Sequence, residues 1–178
     1  MTLQEQSENI ITRLGLLDKL AQFGEVHVVG NVAFGTTTKP DIDVQIYSDM
    51  HYEEAATDII RVFMELGITD IKERRLKRSK KYLVIGEYLS EGMKWAIDIT
   101  LTQPSKHYLK DSYQFYLDYF PKMTDEKHDQ IMKFKGEFAH DKISGDNSSY
   151  YIYLGVLDND IKTTNEMKKY LNRMRENR

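Results

Sequence analysis

Residues 41–47 read Asp-Ile-Asp-Val-Gln-Ile-Tyr, an unbroken alternation of polar and apolar side chains. A period of two belongs to a β-strand, whose successive side chains point to opposite faces. Such a strand must bury Ile42, Val44 and Ile46, while Asp41, Asp43 and Gln45 lie together on its other face. Two carboxylates side by side repel one another unless a cation sits between them. The segment therefore calls for a sheet with one covered apolar face and a second face that opens with a pair of acids. The chain has 178 residues, 40% of them hydrophobic, enough to bury about two-thirds of the unfolded surface in such a core.

The flanking segments supply the other layers. Ile10, Ile11, Leu14, Leu17 and Leu20 recur at helical spacing, so a helix is predicted over 10–23 with Gly24 as its stop. A short strand over 26–29 ends at Gly30, and the polar stretch 36–40 reads as a loop. A second helix is predicted over 51–66, then strands over 68–73, 82–88 and 94–101, the last two joined across Ser90-Glu91-Gly92. One helix amid several strands predicts an α+β fold with a mixed β-sheet and flanking helices, the sheet ending near Thr102. Beyond Pro104 the pattern turns helical. Thr124 caps a segment running to about Ala139, and Thr163 with Glu166 makes the capping box of a last helix containing Met167, Tyr170 and Leu171. Without a repeat or a Pro- or Ser-rich linker, the expected organisation is an α/β core over 1–103 and a helical C-terminal half over 104–178 packed on it.

A third acid breaks the pattern of Trp95-Ala96-Ile97-Asp98-Ile99-Thr100-Leu101, a strand-like run where a carboxylate is otherwise out of place. If its strand neighbours 41–47, Asp98 joins Asp41 and Asp43. Three carboxylates suit hard, oxygen-loving cations such as Mg²⁺ or Mn²⁺, two of which can support in-line phosphoryl transfer. Taken singly, each acid also has a plain structural reading: a turn entering a strand, or a buried acid paired with a base.

Other chemistries are excluded or unsupported. With no Cys there are no thiolate metal sites, disulfides or cysteine nucleophiles. The five His show no metal-ligand spacing, and neither a P-loop nor a serine-hydrolase elbow occurs. A net charge of -3 gives no global field for nucleic acid or membrane. The N-terminal stretch lacks the features of a signal peptide and no apolar run is of membrane-spanning length, so a cytoplasmic location and no membrane partner are expected. Lys72, Arg74, Arg75, Lys77, Arg78, Lys80 and Lys81 form a basic run that reads as a solvated hairpin or as a guide for a triphosphate or anionic acceptor. Tyr150, Tyr151 and Tyr153 read as helix packing or as a stacking surface.

The stretch from Gly30 to Asp98 resembles the nucleotidyltransferase superfamily whose best-known member is DNA polymerase beta. That pattern places Gly-Ser at a strand end, then a further Gly, an Asp-x-Asp on the next strand and a lone Asp on a later one. Gly30, Gly35, Asp41, Asp43 and Asp98 match it, while Asn31 stands at the Ser position and Pro40 replaces the Ser common before the acids. Lys39-Pro40 resembles the Lys-Pro of the GrpB-like branch, and 149–171 is similar to the helical tail of bacterial predicted nucleotidyltransferases. The resemblance implies a metal-dependent transfer of a nucleoside monophosphate from an NTP, ATP in first place, to an acceptor hydroxyl, with release of pyrophosphate. Asp41, Asp43 and Asp98 would be the catalytic metal ligands, with Gly30, Asn31 and Lys39 at the nucleotide's phosphates. A non-catalytic nucleotide- or protein-binding module that keeps the fold is the alternative, and the acceptor stays open.

Overall fold

The computed structural model describes residues 1–76, 80–107, 111–138 and 148–176. Two compact units are distinguished, Met1–Asp118 and Tyr119–Arg178.

The first unit is built on five strands: β1 (Glu25–Val29), β2 (Asp41–Tyr47), β3 (Thr69–Leu76), β4 (Lys81–Ser90) and β5 (Met93–Thr102). They lie in the order β1-β2-β5-β4-β3, with β2 and β5 parallel and every other pairing antiparallel. The alternation read in the sequence sorts the two faces. Ile42, Val44 and Ile46 of β2 and Trp95, Ile97, Ile99 and Leu101 of β5 are buried in one core. That core is closed by α1 (Leu3–Leu14), α2 (Leu16–Leu20) and α4 (Tyr52–Glu65), which contribute Ile10, Leu16, Leu20, Ile59 and Phe63. The opposite face carries the polar residues of the same strands. The mixed α+β sheet with flanking helices is the architecture expected from the pattern.

Several boundaries differ from the sequence reading, each for a local reason. The helix predicted over 10–23 begins earlier, because Thr2 and Glu5 form a capping box, and it breaks at Gly15, whose φ of 56° supplies a left-handed cap. A 3₁₀ turn, Ala21–Phe23, follows α2. The residues after β1 form a helical turn, α3 (Gly30–Ala33), where only a strand end was read. β3 runs to Leu76, beyond the predicted 73, because Arg74, Arg75 and Leu76 pair with Leu83, Tyr82 and Lys81 of β4. α5 (Ser112–Tyr119), which falls in the region beyond Pro104 read as helical but given no bounds of its own, is capped by Asp111, whose carboxylate accepts from the backbone N–H of Gln114.

The second unit contains α6 (Asp125–Phe138), α7 (Ser148–Leu157) and α8 (Thr164–Glu176). The capping box at α8 is present: Thr163 N–H donates to Glu166, and Glu166 N–H donates to the Thr163 hydroxyl. Met167, Tyr170 and Leu171 are buried as their spacing requires. Ala139, the predicted end of α6, lies outside the described residues, as do Lys77 and Arg78 of the basic run.

Candidate active site

The parallel pairing of β2 with β5 sets Asp43 directly opposite Asp98 and Asp41 opposite Ala96. All three acids therefore project from the polar face of adjacent central strands. One carboxylate oxygen from each of Asp41, Asp43 and Asp98 lies within 4.8 Å of the others, and all three residues are half-buried. No other such cluster of acids or histidines occurs among the described residues.

The turn above the acids is built from the next strand. Val29 ends β1 opposite Asp43, and the chain enters α3 through Gly30 with φ of 64°. A side chain there is excluded twice: the backbone is left-handed, and a Cβ would overlap the Asp43 carboxylate. Gly30 thus brings bare backbone against the acid cluster. Asn31 follows, 7% exposed, and its carbonyl accepts from the Thr36 backbone N–H at 2.9 Å, which folds the 31–36 turn back on itself. Gly35 donates its N–H to Val32 in the same turn. Lys39 lies beside the acids, its ammonium 2.6 Å from the Asp41 carboxylate.

The charges in this cluster are unequally compensated. For Lys39, burial lowers the proton affinity, but the hydrogen bond to Asp41 and the charges of Asp41, Asp43 and Asp98 outweigh it and hold the ammonium above its ordinary range. Asp98 behaves oppositely. Burial, reinforced by the negative charge of Asp41 and only partly offset by Lys39, pushes its carboxyl up to about 6. Its Oδ1 is buried and has no hydrogen-bond partner. A buried carboxylate oxygen without a donor, beside two further carboxylates, is a set of hard oxygen ligands short of a cation. The residues present fit a divalent ion of the Mg²⁺ or Mn²⁺ type.

The sequence reading did not identify Asp111, which is fully buried beside the acid-bearing face. Its carboxylate accepts from the Gln45 amide, the Tyr47 hydroxyl and the backbone N–H groups of Ser105 and Gln114. Burial raises its proton affinity, but these four donors outweigh it and keep the group ionised below the usual carboxylate range. The network ties the start of α5 to β2. On the same side His27 stacks on Tyr113 with ring centroids 3.4 Å apart. A cleft of about 630 Å³ lined by Gln22, Tyr47, Asp49 and Gln103 contains none of the three acids, because it opens at the far end of β2.

Of the basic run, Arg75 pairs with Glu53 at 2.7 Å and Lys81 is buried. Of the tyrosines, Tyr153 is 3% exposed and belongs to the interior of the helical unit, whereas Tyr150 and Tyr151 are half-exposed. No helix among the described residues is long and apolar enough to cross a membrane.

No protein-family model and no curated protein matches the chain. Solved structures do. A cytoplasmic RNA terminal U-transferase is 19% identical with a TM-score of 0.59, over 86% of this chain and 46% of its own. A structure of Cid1, described for its RNA terminal uridylyl transferase activity, is 17% identical with a TM-score of 0.63 over the same shares. The non-canonical poly(A) polymerase complex GLD-2–GLD-3 is 14% identical with a TM-score of 0.57, over 86% of this chain and 55% of that one. The chain spans about half the length of the structures it matches. At these identities the likeness fixes the architecture: this chain has a nucleotidyltransferase-like α+β fold.

Proposed function

We propose that the chain is a metal-dependent nucleotidyltransferase that moves a nucleoside monophosphate from an NTP to an acceptor hydroxyl. The observation that carries this reading is the convergence of Asp41, Asp43 and Asp98 beneath the Gly30 turn. Asp41, Asp43 and Asp98 hold divalent ions of the Mg²⁺ or Mn²⁺ kind, which when bound neutralise and orient the reacting phosphates. Gly30 lets the phosphates approach the backbone, Asn31 offers amide donors there, and Lys39 offsets part of their charge. Asp98 is assigned the role of general base toward the attacking hydroxyl, its Oδ1 having no hydrogen-bond partner in the protein. The new bond forms between the acceptor oxygen and the α-phosphorus, the bond to the β-phosphate bridge breaks, and pyrophosphate leaves.

An RNA 3′ hydroxyl is the acceptor assigned in this reading, because the likened structures include RNA terminal uridylyl transferases and a poly(A) polymerase. ATP is the first donor to test and UTP the second. The Lys39-Pro40 pair supports placing the chain in the GrpB-like branch of the superfamily. Acceptor recognition is assigned to the helical half after Thr102, and the site of action to the cytoplasm.

The test is pyrophosphate release and product extension with Mg²⁺, each NTP and an RNA oligonucleotide, compared between the wild type and Asp43→Asn. Extension that disappears in the variant supports the reading. The competing module, favoured by Asn31 in the usual Ser position, predicts stabilisation by MgATP with no pyrophosphate released.

A further inference from the structure

On the acid-bearing face, β4 presents Lys81, Leu83 and Ile85, because the alternate residues Tyr82 and Val84 point into the core. Ile85 stands opposite Asp98 and Leu83 opposite Thr100, so Lys81 lies on the same face two rows further along. Four residues of strand put its backbone about 13 Å from the level of the acids. Between them Ile85, Leu83 and Thr100 are only partly buried and form an accessible floor.

Lys81 is 9% exposed, and among the described residues its side chain has neither a hydrogen bond nor an ion pair. Asp111 and Asp43 act on it through space alone. Asp111 is not free to pair with it, since four donors already occupy that carboxylate. This is the reverse of Lys39, whose ammonium is exposed and directly paired with Asp41. Most of the side chain is withdrawn from water and its ammonium has no ion pair among the described residues, so an anion entering from the floor would meet a charge that no protein group neutralises directly. Strand order says which anion. The Gly30 turn rises from β1 on one side of Asp43, whereas Lys81 stands on β4, beyond Asp98 on the other.

We propose that Lys81 is a binding residue for a phosphate group, reached across the Leu83–Thr100 floor, and that this phosphate belongs to the incoming acceptor strand and not to the NTP. The inference rests on the nucleotidyltransferase reading and adds to it a second anionic subsite on the side from which the hydroxyl attacks.

The test compares wild type, Lys81→Met and Lys81→Arg for binding of a short oligoadenylate lacking its 3′ hydroxyl, and separately of MgATP, across a salt series. Lys81→Met should bind the oligonucleotide about tenfold more weakly, with a salt dependence shallower by about 0.7 in log–log slope, the loss of one single-strand phosphate contact. Lys81→Arg should retain most of the affinity, and MgATP binding should stay within about twofold. Without ligand, Lys81→Met should melt at or above the wild-type temperature, since a charge with no ion pair has been removed. Should it fail to fold, Lys81→Gln carries the same comparison. If MgATP binding falls instead, the phosphate at Lys81 is the triphosphate's and the assignment to the acceptor strand is overturned. If neither probe is affected, or Lys81→Arg loses as much as Lys81→Met, the proposal is overturned while the parent reading stands. If the wild type itself binds neither probe, the parent reading fails and this one with it.

Discussion

Gly30 and Asp98 carry the tightest constraints at the scale of single residues. Gly30→Ala would force a side chain into left-handed backbone and against the Asp43 carboxylate. Strain of this kind is about 1–3 kcal/mol, which lowers the melting temperature by roughly 2–12 °C for a chain of this length. The variant should also lose Mg²⁺-dependent stabilisation, because Asp43 must move; calorimetry with and without Mg²⁺ checks both. Asp98 makes a signed prediction about pH. Its carboxyl is held up to about 6 in the fold, against about 3.9 in an unfolded chain. Between those values the folded protein keeps a proton that the unfolded chain releases, so metal-free stability falls as pH rises through the window and levels off above it. Asp98→Asn removes this loss. The melting temperature of the variant relative to wild type should climb from about pH 4 to about pH 6.5 in chelator, and a difference that stayed constant would refute the assignment. Turnover of the same variant should fall at least about a hundredfold. The three acids were legible in the sequence because strand periodicity alone fixes which side chains share a face. Asp111 was not, since its partners Gln45 and Tyr47 lie more than 60 residues away in sequence, and nothing local distinguishes a networked aspartate from a loop aspartate.

At the scale of elements, the sheet could be read because alternation in β2 and β5 is regular, and α8 because its capping box is local. What escaped depended on single backbone conformations or on tertiary partners. Gly15 divides one amphipathic stretch into two helices, which periodicity cannot show because the apolar face continues through it. α5 has no strong periodicity and is anchored from outside by Asp111. Asp111→Ala leaves the Gln45 amide and the backbone N–H groups of Ser105 and Gln114 without their acceptor, and should cost about 3–5 kcal/mol. Denaturant unfolding followed by circular dichroism measures it. The tyrosines of α7 separate by burial. Tyr153→Ala should destabilise by about 3–5 kcal/mol as a core truncation. Tyr150→Ala or Tyr151→Ala should leave the fold intact, and in at least one of them the acceptor KM should rise while NTP affinity changes less than about twofold. If both leave acceptor kinetics unchanged, these rings serve packing alone.

At the scale of the whole molecule, the sheet order β1-β2-β5-β4-β3 brings together residues that the sequence spreads over nearly 70 positions, from Gly30 to Asp98. The polar face of the central strands then works as one surface: Gly30 with its turn on the β1 side, three acids in the middle, Lys81 on the β4 side. The apolar face supplies the rigidity, since every inward residue of β5 from Trp95 to Leu101 is fully buried. A site built this way should bind a divalent ion only when the three carboxylates are intact. The most direct measurement is Mn²⁺ binding followed by electron paramagnetic resonance at neutral pH with ATP present, in the wild type, Asp43→Asn and Asp98→Asn. The account predicts saturable, protein-dependent Mn²⁺ binding in the wild type and its loss or severe weakening in both folded variants. Equal Mn²⁺ binding in all three proteins, or none in the wild type, would contradict it.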